Sequence, residues 1–301
     1  MPSPLNTEFP NILSVIGRDV ARYAEAIAAA AAAQSQTGTL VWLSPDRAFD
    51  LPFRGPSDGV REAARAATGA GTLDINIVAA AERRKKLIVA DMDSTIITCE
   101  CLDEIADAMG LKPQVAAITE RAMAGEIAFE PALRERVALL KGLPVHRLAR
   151  VYGERVRLTP GARALLATMK AHGARSVLVS GGFTFFTKRV AADVGFDAHF
   201  GNALLDDGVY LTGKVADPIL GREAKLQTLE NEMKALGITA AETLAVGDGA
   251  NDLAMIARAG LGVAFHAKPI VAAAAGARVD HGDLTALLYL QGYSDAEFVR
   301  V

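Results

Sequence analysis

Short apolar runs alternate with longer stretches of helical periodicity through most of the chain. Residues 87–90 (LIVA), 176–179 (SVLV), 243–246 (TLAV) and 261–265 (LGVAF) are near-continuous apolar runs. Such runs are what a parallel strand covered on both faces requires. Helical stretches between them predict an α/β fold with a doubly wound parallel sheet. Polar residues follow three of the runs: Asp91, Ser180 and Gly247-Asp248. In open sheets of this kind, ligands bind outside the carboxyl ends of the strands. Three strand ends with reactive groups therefore mark one candidate site.

The spacing departs from this pattern in one place. Eighty-five residues separate Ala90 from Ser176, whereas a whole βαβ unit takes about 30. The excess reads as an inserted helical cap at about 98–172. Within it Leu102, Ile105, Ala106 and Met109 share one helix face, and Leu133, Val137 and Leu140 another. Residues 200–215 read as a β-hairpin around Asp207-Gly208. The first eighty residues have a different rhythm: strand 11–17, helix 20–33, strand 39–43, a weaker strand 48–53, a helix from 56–58 to about 67, and strand 72–78. That β-α-β-β-α-β order is ferredoxin-like and resembles the small regulatory ACT domains that bind amino acids. Two domains are expected: 1–80, α+β and ACT-like, and 81–301, with the cap inserted. The run Glu82-Arg83-Arg84-Lys85-Lys86 reads as a charged hinge between them. No chemistry-bearing residue precedes it, so a chain starting near Glu82 is expected to keep its activity.

Composition narrows the class. The 301 residues are 51% hydrophobic and 22% charged, a balance that argues against extensive disorder. The net charge of −3 gives no basic footprint for nucleic acid. Cys99 and Cys101 are the two cysteines, too few for a disulfide scaffold and without zinc-ligand spacing. The first residues lack a basic segment followed by an apolar one, so no signal peptide is read. The Ala-rich stretch 28–33 falls far short of the ~20 residues that span a bilayer. A soluble, cytoplasmic protein with no membrane partner is expected.

The chemistry-bearing residues are few. Asp91-Met92-Asp93-Ser94-Thr95 places two carboxylates two residues apart after a buried strand. They repel unless a cation or a split in protonation uses the pair. Alone, the pentapeptide is an ordinary turn opening a helix; beside the other strand ends it is more. Gly247-Asp248-Gly249-Ala250-Asn251-Asp252 adds two carboxylates, and Asp252 stands where a dinucleotide fingerprint needs its last glycine. Ser180-Gly181-Gly182 offers a hydroxyl and backbone N–H groups between strand and helix, a phosphate cradle or a plain Gly-rich turn. Lys225 has no acidic residue three or four positions away.

DMDST, SGG, Lys225 and GDGAND match the four ordered motifs of the haloacid dehalogenase-like phosphohydrolases. Glu100, the cap stretch 118–143, SGGF, and AVGDGANDLAMI through AFHAKP resemble the phosphoserine phosphatase branch of that family. The resemblance covers about residues 87–283 and implies a Rossmann-like core with a helical cap. It implies Mg²⁺-dependent hydrolysis of the small molecule O-phospho-L-serine, the last step of L-serine biosynthesis, through an aspartyl-phosphate. By the resemblance, Asp91 is the nucleophile and Asp93 the acid and base, with Lys225, Ser180, Gly181 and Asn251 on the transferred phosphoryl group. Asp91, Asp248 and the Asp93 carbonyl would hold the metal, with Asp252 in support. Glu100 would take the substrate ammonium and Arg136 its carboxylate, while Met123 and Phe129 would line the pocket. From the residues alone, Met123 and Phe129 read as packing, and Arg134 as the partner of Glu130. Arg136, in the apolar stripe of Leu133, Val137 and Leu140, either snorkels or meets an anion. Other readings are a phosphotransferase passing the group to an alcohol such as homoserine, a phosphatase for another small ester, and a silent amino-acid sensor. A homodimer is left open.

Overall fold

Antiparallel pairing dominates the first eighty residues of the computed structural model, which describes residues 8–69, 72–123 and 126–301. The chain divides into two compact units: residues up to 88 with 160–175 and 232–301, and residues 89–159 with 176–231. In the first unit lie β1 (Asn11–Ile16), β2 (Gln36–Thr37), β3 (Val41–Ser44), β4 (Ala48–Arg54) and β5 (Asp74–Ala79). Their order is β2-β4-β1-β5, with β3 also on β4, and every pair is antiparallel. With α1 (Ala24–Ala32) and α2 (Ser57–Thr68) this gives the expected β-α-β-β-α-β order, plus the short β2.

Strand β4, which reads as weak in the sequence, is central and buried up to its last residue. Asp50 and Pro52 hide it from a propensity reading. One face of the sheet (Leu13, Val15, Phe49, Leu51, Phe53 and Ile75) packs with Val20, Ile27, Val60 and Ala64 from the helical side. The opposite face carries Ser14 opposite Asp50 and Asn76, all three buried. Buried polar groups need partners. The Asp50 carboxylate takes both terminal nitrogens of Arg83, at 2.5 and 2.8 Å. Asn76 exchanges two hydrogen bonds with the backbone of Arg278.

The expected hinge is therefore a fastening. Arg83 also donates to the carbonyls of Leu290 and Tyr289. Arg84 pairs with Glu297 and lies 4.2 Å from the centre of the Tyr293 ring. Lys85 is buried and donates to the Glu82 and Ala241 carbonyls, both at 2.6 Å; desolvation pulls its pKa down to about 8. Lys86 meets Glu242 at 2.7 Å. A run of charges looks solvated in a sequence because its partners, up to 213 residues away, are invisible there.

The four apolar runs form β6 (Leu87–Ala90), β7 (Arg175–Phe183), β11 (Thr243–Gly247) and β12 (Leu261–Phe265), and two strands the sequence reading did not name, β8 (Ala198–Asn202) and β13 (Ala277–Val279), join them. The sheet order is β13-β12-β11-β6-β7-β8, and the pairs β7–β8, β11–β12 and β12–β13 are parallel. The order reverses at β6, so Asp91 follows the strand where an open α/β sheet places its ligand. Two elements differ from expectation. β7 runs on through Gly181 and Gly182 to Phe183. Residues 200–202 belong to β8, and the hairpin is only β9 (Leu204–Asp206) with β10 (Leu211–Val215). Its turn is where expected: the Asp207 carboxylate accepts from the N–H groups of Val209 and Tyr210, and Gly208 has φ +93°.

The second unit carries the inserted helices α3 (Cys101–Ala108), α4 (Lys112–Met123), α5 (Phe129–Ala138) and α6 (Val145–Arg155). Leu133 and Val137 are buried on α5, and Leu140 just beyond it. Among the described residues no helix is long and apolar enough to cross a membrane.

Candidate active site

The turn after β6 is the centre of the second unit. Ile97 N–H returns to the Met92 carbonyl, and Ser94 N–H to that of Cys99. Closing so tight a loop puts Ser94 in the left-handed region at φ 54°, a conformation that costs an ordinary residue about 1–2 kcal/mol and is common where a site is held under strain. The loop is anchored by Met92, which is fully buried.

The two carboxylates of the turn have different surroundings. Asp91 is 5% exposed and meets the Lys225 ammonium at 2.6 Å. Lys225 itself is 1% exposed, near the start of α7 (Arg222–Leu236). The absence of an acid three or four positions away on its own helix thus has an answer more than a hundred residues away. Asp93 accepts from the backbone N–H of Cys101, the first residue of α3, at 2.9 Å. Its other oxygen takes the Ser180 hydroxyl at 3.0 Å. Burial nevertheless pushes its pKa upward, outweighing these bonds and the Lys225 charge. An ammonium beside one carboxyl and a raised pKa at the other is how two like acids acquire different roles.

Ser180 Oγ also accepts the Gly182 N–H at 2.8 Å. A Cβ on Gly182 would stand 2.9 Å from Asp93 Oδ2 and 3.0 Å from Ser180 Oγ, so glycine is required by close approach. Gly182→Ala is expected to lower kcat by about tenfold, as loss of a positioned contact does, with little change in melting temperature. Unchanged kinetics would show that the Asp93–Ser180 bond does not matter. Phe129 opens α5, 40% exposed, with its ring against Gly181: a Cβ there would be 3.3 Å from Phe129 Cζ.

Asn202 is a residue the sequence reading missed. At the end of β8 and 2% exposed, it donates to the carbonyls of Gly181 and Leu220 and accepts from Leu220 N–H. It therefore locks the SGG backbone. A lone Asn after a strand gives no sequence signal for that.

Glu100 precedes α3, exposed, and accepts the Ser94 hydroxyl at 2.7 Å. Arg136 is half-buried on α5. Its Nε donates to the Ala132 carbonyl at 3.2 Å and Nη1 to Thr119 Oγ1 at 3.5 Å. No ion pair engages it among the described residues, and desolvation lowers its pKa against the pull of Asp103 and Glu100. Arg134 pairs with Asp217 at 2.5 Å, not with Glu130, because the tertiary partner outcompetes the helical neighbour. The side chain of Met123 lies outside the described residues.

In the first unit, Asp248 follows β11 and Asp252 closes the loop. Asp252 is fully buried and accepts Gly249 N–H at 3.0 Å. A Cβ on Gly247 would overlap the Asp252 carboxyl. Asn251 follows in the same loop, half-buried. Asp248 and Asp252 here, and Asp91 in the second unit, are each carboxylates that could serve as a ligand to a divalent cation. An all-oxygen, carboxylate-rich set suits a hard cation.

A family model described as haloacid dehalogenase-like hydrolase matches residues 88–257. A phosphoserine phosphatase of Polaromonas sp. is 49% identical over 210 residues, covering 68% of this chain and 89% of that protein. One of Streptomyces coelicolor is 39% identical over 297 residues, 95% of this chain and 72% of its own length. A solved structure described as a phospho-aspartyl intermediate analogue of phosphoserine phosphatase superposes with TM-score 0.63 at 40% identity, covering 68% of this chain and 98% of that one. The chain belongs to the haloacid dehalogenase-like hydrolases. Within that family its relatives are phosphoserine phosphatases.

Proposed function

We propose that the chain hydrolyses O-phospho-L-serine to L-serine and phosphate, as a cytoplasmic enzyme of serine biosynthesis. One observation carries the chemistry. Two carboxylates stand two residues apart, Asp91 buried against the Lys225 ammonium and Asp93 held by the Cys101 N–H and the Ser180 hydroxyl, with burial raising its pKa. An Asp91 oxygen attacks phosphorus in line, the ester P–O bond breaks, and Asp93 gives its proton to the departing serine oxygen. Asp93 then takes a proton from water as the water oxygen attacks the aspartyl-phosphate, which frees phosphate and restores Asp91. Lys225, the Ser180 hydroxyl, Gly181 N–H and Asn251 neutralise charge on the transferred group.

Asp91, Asp248 and the Asp93 carbonyl would hold Mg²⁺, which supplies charge neutralisation and orientation when bound. Asp252, already committed to Gly249, supports the loop. For the serine part, Glu100 takes the ammonium and Arg136 the carboxylate, with Phe129 and Met123 closing the apolar side. We assign residues 1–80 to an ACT-like domain and 98–172 to the cap of the phosphatase domain.

The test is phosphate release from O-phospho-L-serine with Mg²⁺, with EDTA, and with added homoserine. Release that EDTA abolishes and homoserine leaves unchanged is expected. Homoserine that diverts the phosphoryl group would favour the transferase reading. No metal-dependent release would overturn the proposal.

A further inference from the structure

The N-terminal sheet bears on the loop that carries Asp248 through a chain of hydrogen bonds inside the first unit. Asp74, the first residue of β5, is 3% exposed. Its Oδ1 accepts the backbone N–H groups of Asp280 at 2.7 Å and His281 at 3.1 Å, and its Oδ2 that of Gly282 at 2.8 Å. Two residues on, Asn76 takes both backbone groups of Arg278. The segment after β13 is thus held along its length by β5. Gly282 fits closely: a Cβ there would lie 3.1 Å from Asp74 Oδ2.

From this segment the connection continues to β12. The Gly282 carbonyl lies 2.8 Å from His266 Nε2, close enough for a protonated Nε2 to donate. His266 N–H donates to the Val279 carbonyl at 2.8 Å. His266 has φ 45°, left-handed without being glycine, a conformation that holds where surrounding bonds over-determine it. It directs the chain so that Lys268 N–H reaches the Asp248 carbonyl at 3.1 Å. Every link is a backbone group or a side chain fixed on one.

A buried carboxylate is costly to keep without partners. Burial raises the Asp74 pKa, and the three N–H groups oppose that rise. Packing the N-terminal sheet would be served as well by an apolar residue. A carboxylate that satisfies three successive N–H groups instead fixes the conformation of a loop.

We infer that Asp74 and His266 are positioning residues for Asp248: the N-terminal sheet sets the 280–282 loop, which sets the turn after β12 that holds the Asp248 backbone. This rests on the reading of Asp248 as a metal ligand. It also reverses the expectation that the first eighty residues are dispensable for chemistry.

The test uses the full chain with Asp74→Asn and His266→Ala. Three quantities are read: calorimetric Mg²⁺ affinity of the metal-free protein, kcat and KM for O-phospho-L-serine at saturating Mg²⁺, and the melting temperature. Both variants are expected to weaken Mg²⁺ binding at least fivefold and to lower kcat, with KM within twofold of the parent. Asp74→Glu is expected to recover part of the metal affinity. A purely structural role would lower the melting temperature and leave Mg²⁺ affinity and kcat per folded molecule unchanged; that result overturns the inference. His266 is exposed, so its variant folds even if Asp74→Asn does not, and unchanged Mg²⁺ affinity in His266→Ala is decisive against the relay. If the parent chain binds Mg²⁺ but leaves phosphoserine intact, the functional reading fails while the coupling can still be measured. If it binds no Mg²⁺, both fail.

Discussion

Replacing Asp91 by asparagine is expected to lower kcat at least about a thousandfold, the scale seen when a covalent nucleophile is lost. The amide keeps the shape of a side chain that is 5% exposed, so the turn after β6 stays closed. On the proposed mechanism it removes the attacking oxygen and a metal-ligating charge. It also leaves Lys225, 1% exposed, without the carboxylate it meets at 2.6 Å. Breaking a buried pair on one side costs about 3–5 kcal/mol, so the melting temperature falls as well. Turnover is therefore read well below the new midpoint, on folded protein. Asp93→Asn makes the contrast: it removes the proton carrier but keeps Lys225 paired, so turnover drops with a smaller loss of stability. Beryllofluoride with Mg²⁺, which mimics an acyl phosphate, should attach to Asp91. Substantial hydrolysis by pure Asp91→Asn protein would refute the covalent scheme.

Four of the six core strands were legible in the sequence because each is a short apolar run, and three of them end in a polar group; β8 (AHFGN) and the three-residue β13 lack such a run. Lys225, with no acid three or four positions away, stood out only in the company of the other motifs, and it pairs with Asp91. What stayed hidden depends on distant pairing. Strand β4 is central yet carries Asp50 and Pro52, and the two bonds from Arg83 make the first of these tolerable. The 82–86 run looked like a solvated hinge until its partners at 241–242 and 289–297 were in view. Residues 200–202 have the alternation of a hairpin arm, but their neighbour is β7, some twenty residues back. Asn202 gives no local sign of its work on Gly181, because its three bonds go to backbone groups that any sequence supplies. Candidate catalytic groups are easier to name from sequence than their supports, since the chemistry limits residue type and a support can be built in many ways.

In the proposed function, selectivity for the serine part of the substrate is assigned to Arg136 and Glu100, and substitution separates them from the groups assigned to the phosphate. Arg136 is half-buried on α5, bonded to one carbonyl and distantly to one hydroxyl, with no ion pair among the described residues. A guanidinium has five donors, and one kept from water with so few partners is suited to an incoming carboxylate. A charged hydrogen bond contributes about 1.5–3 kcal/mol, which corresponds to roughly ten- to a hundredfold in kcat/KM. Arg136→Met is expected to lose that much toward phosphoserine while changing little toward phosphoethanolamine, which has the amine but no carboxylate. Glu100→Gln is expected to show the converse dependence, losing toward phosphoserine and little toward phospholactate, which has no amine. Because Glu100 also accepts the Ser94 hydroxyl, its variant is compared at matched Mg²⁺ saturation, so that a disturbed turn is not mistaken for a lost ammonium contact. If Arg136 only braces the cap, its loss lowers the rate for every substrate by a similar factor and lowers the melting temperature. Equal losses on carboxylated and uncarboxylated esters would therefore remove Arg136 from the substrate site, and the preference for phosphoserine would have to come from other groups in the cap.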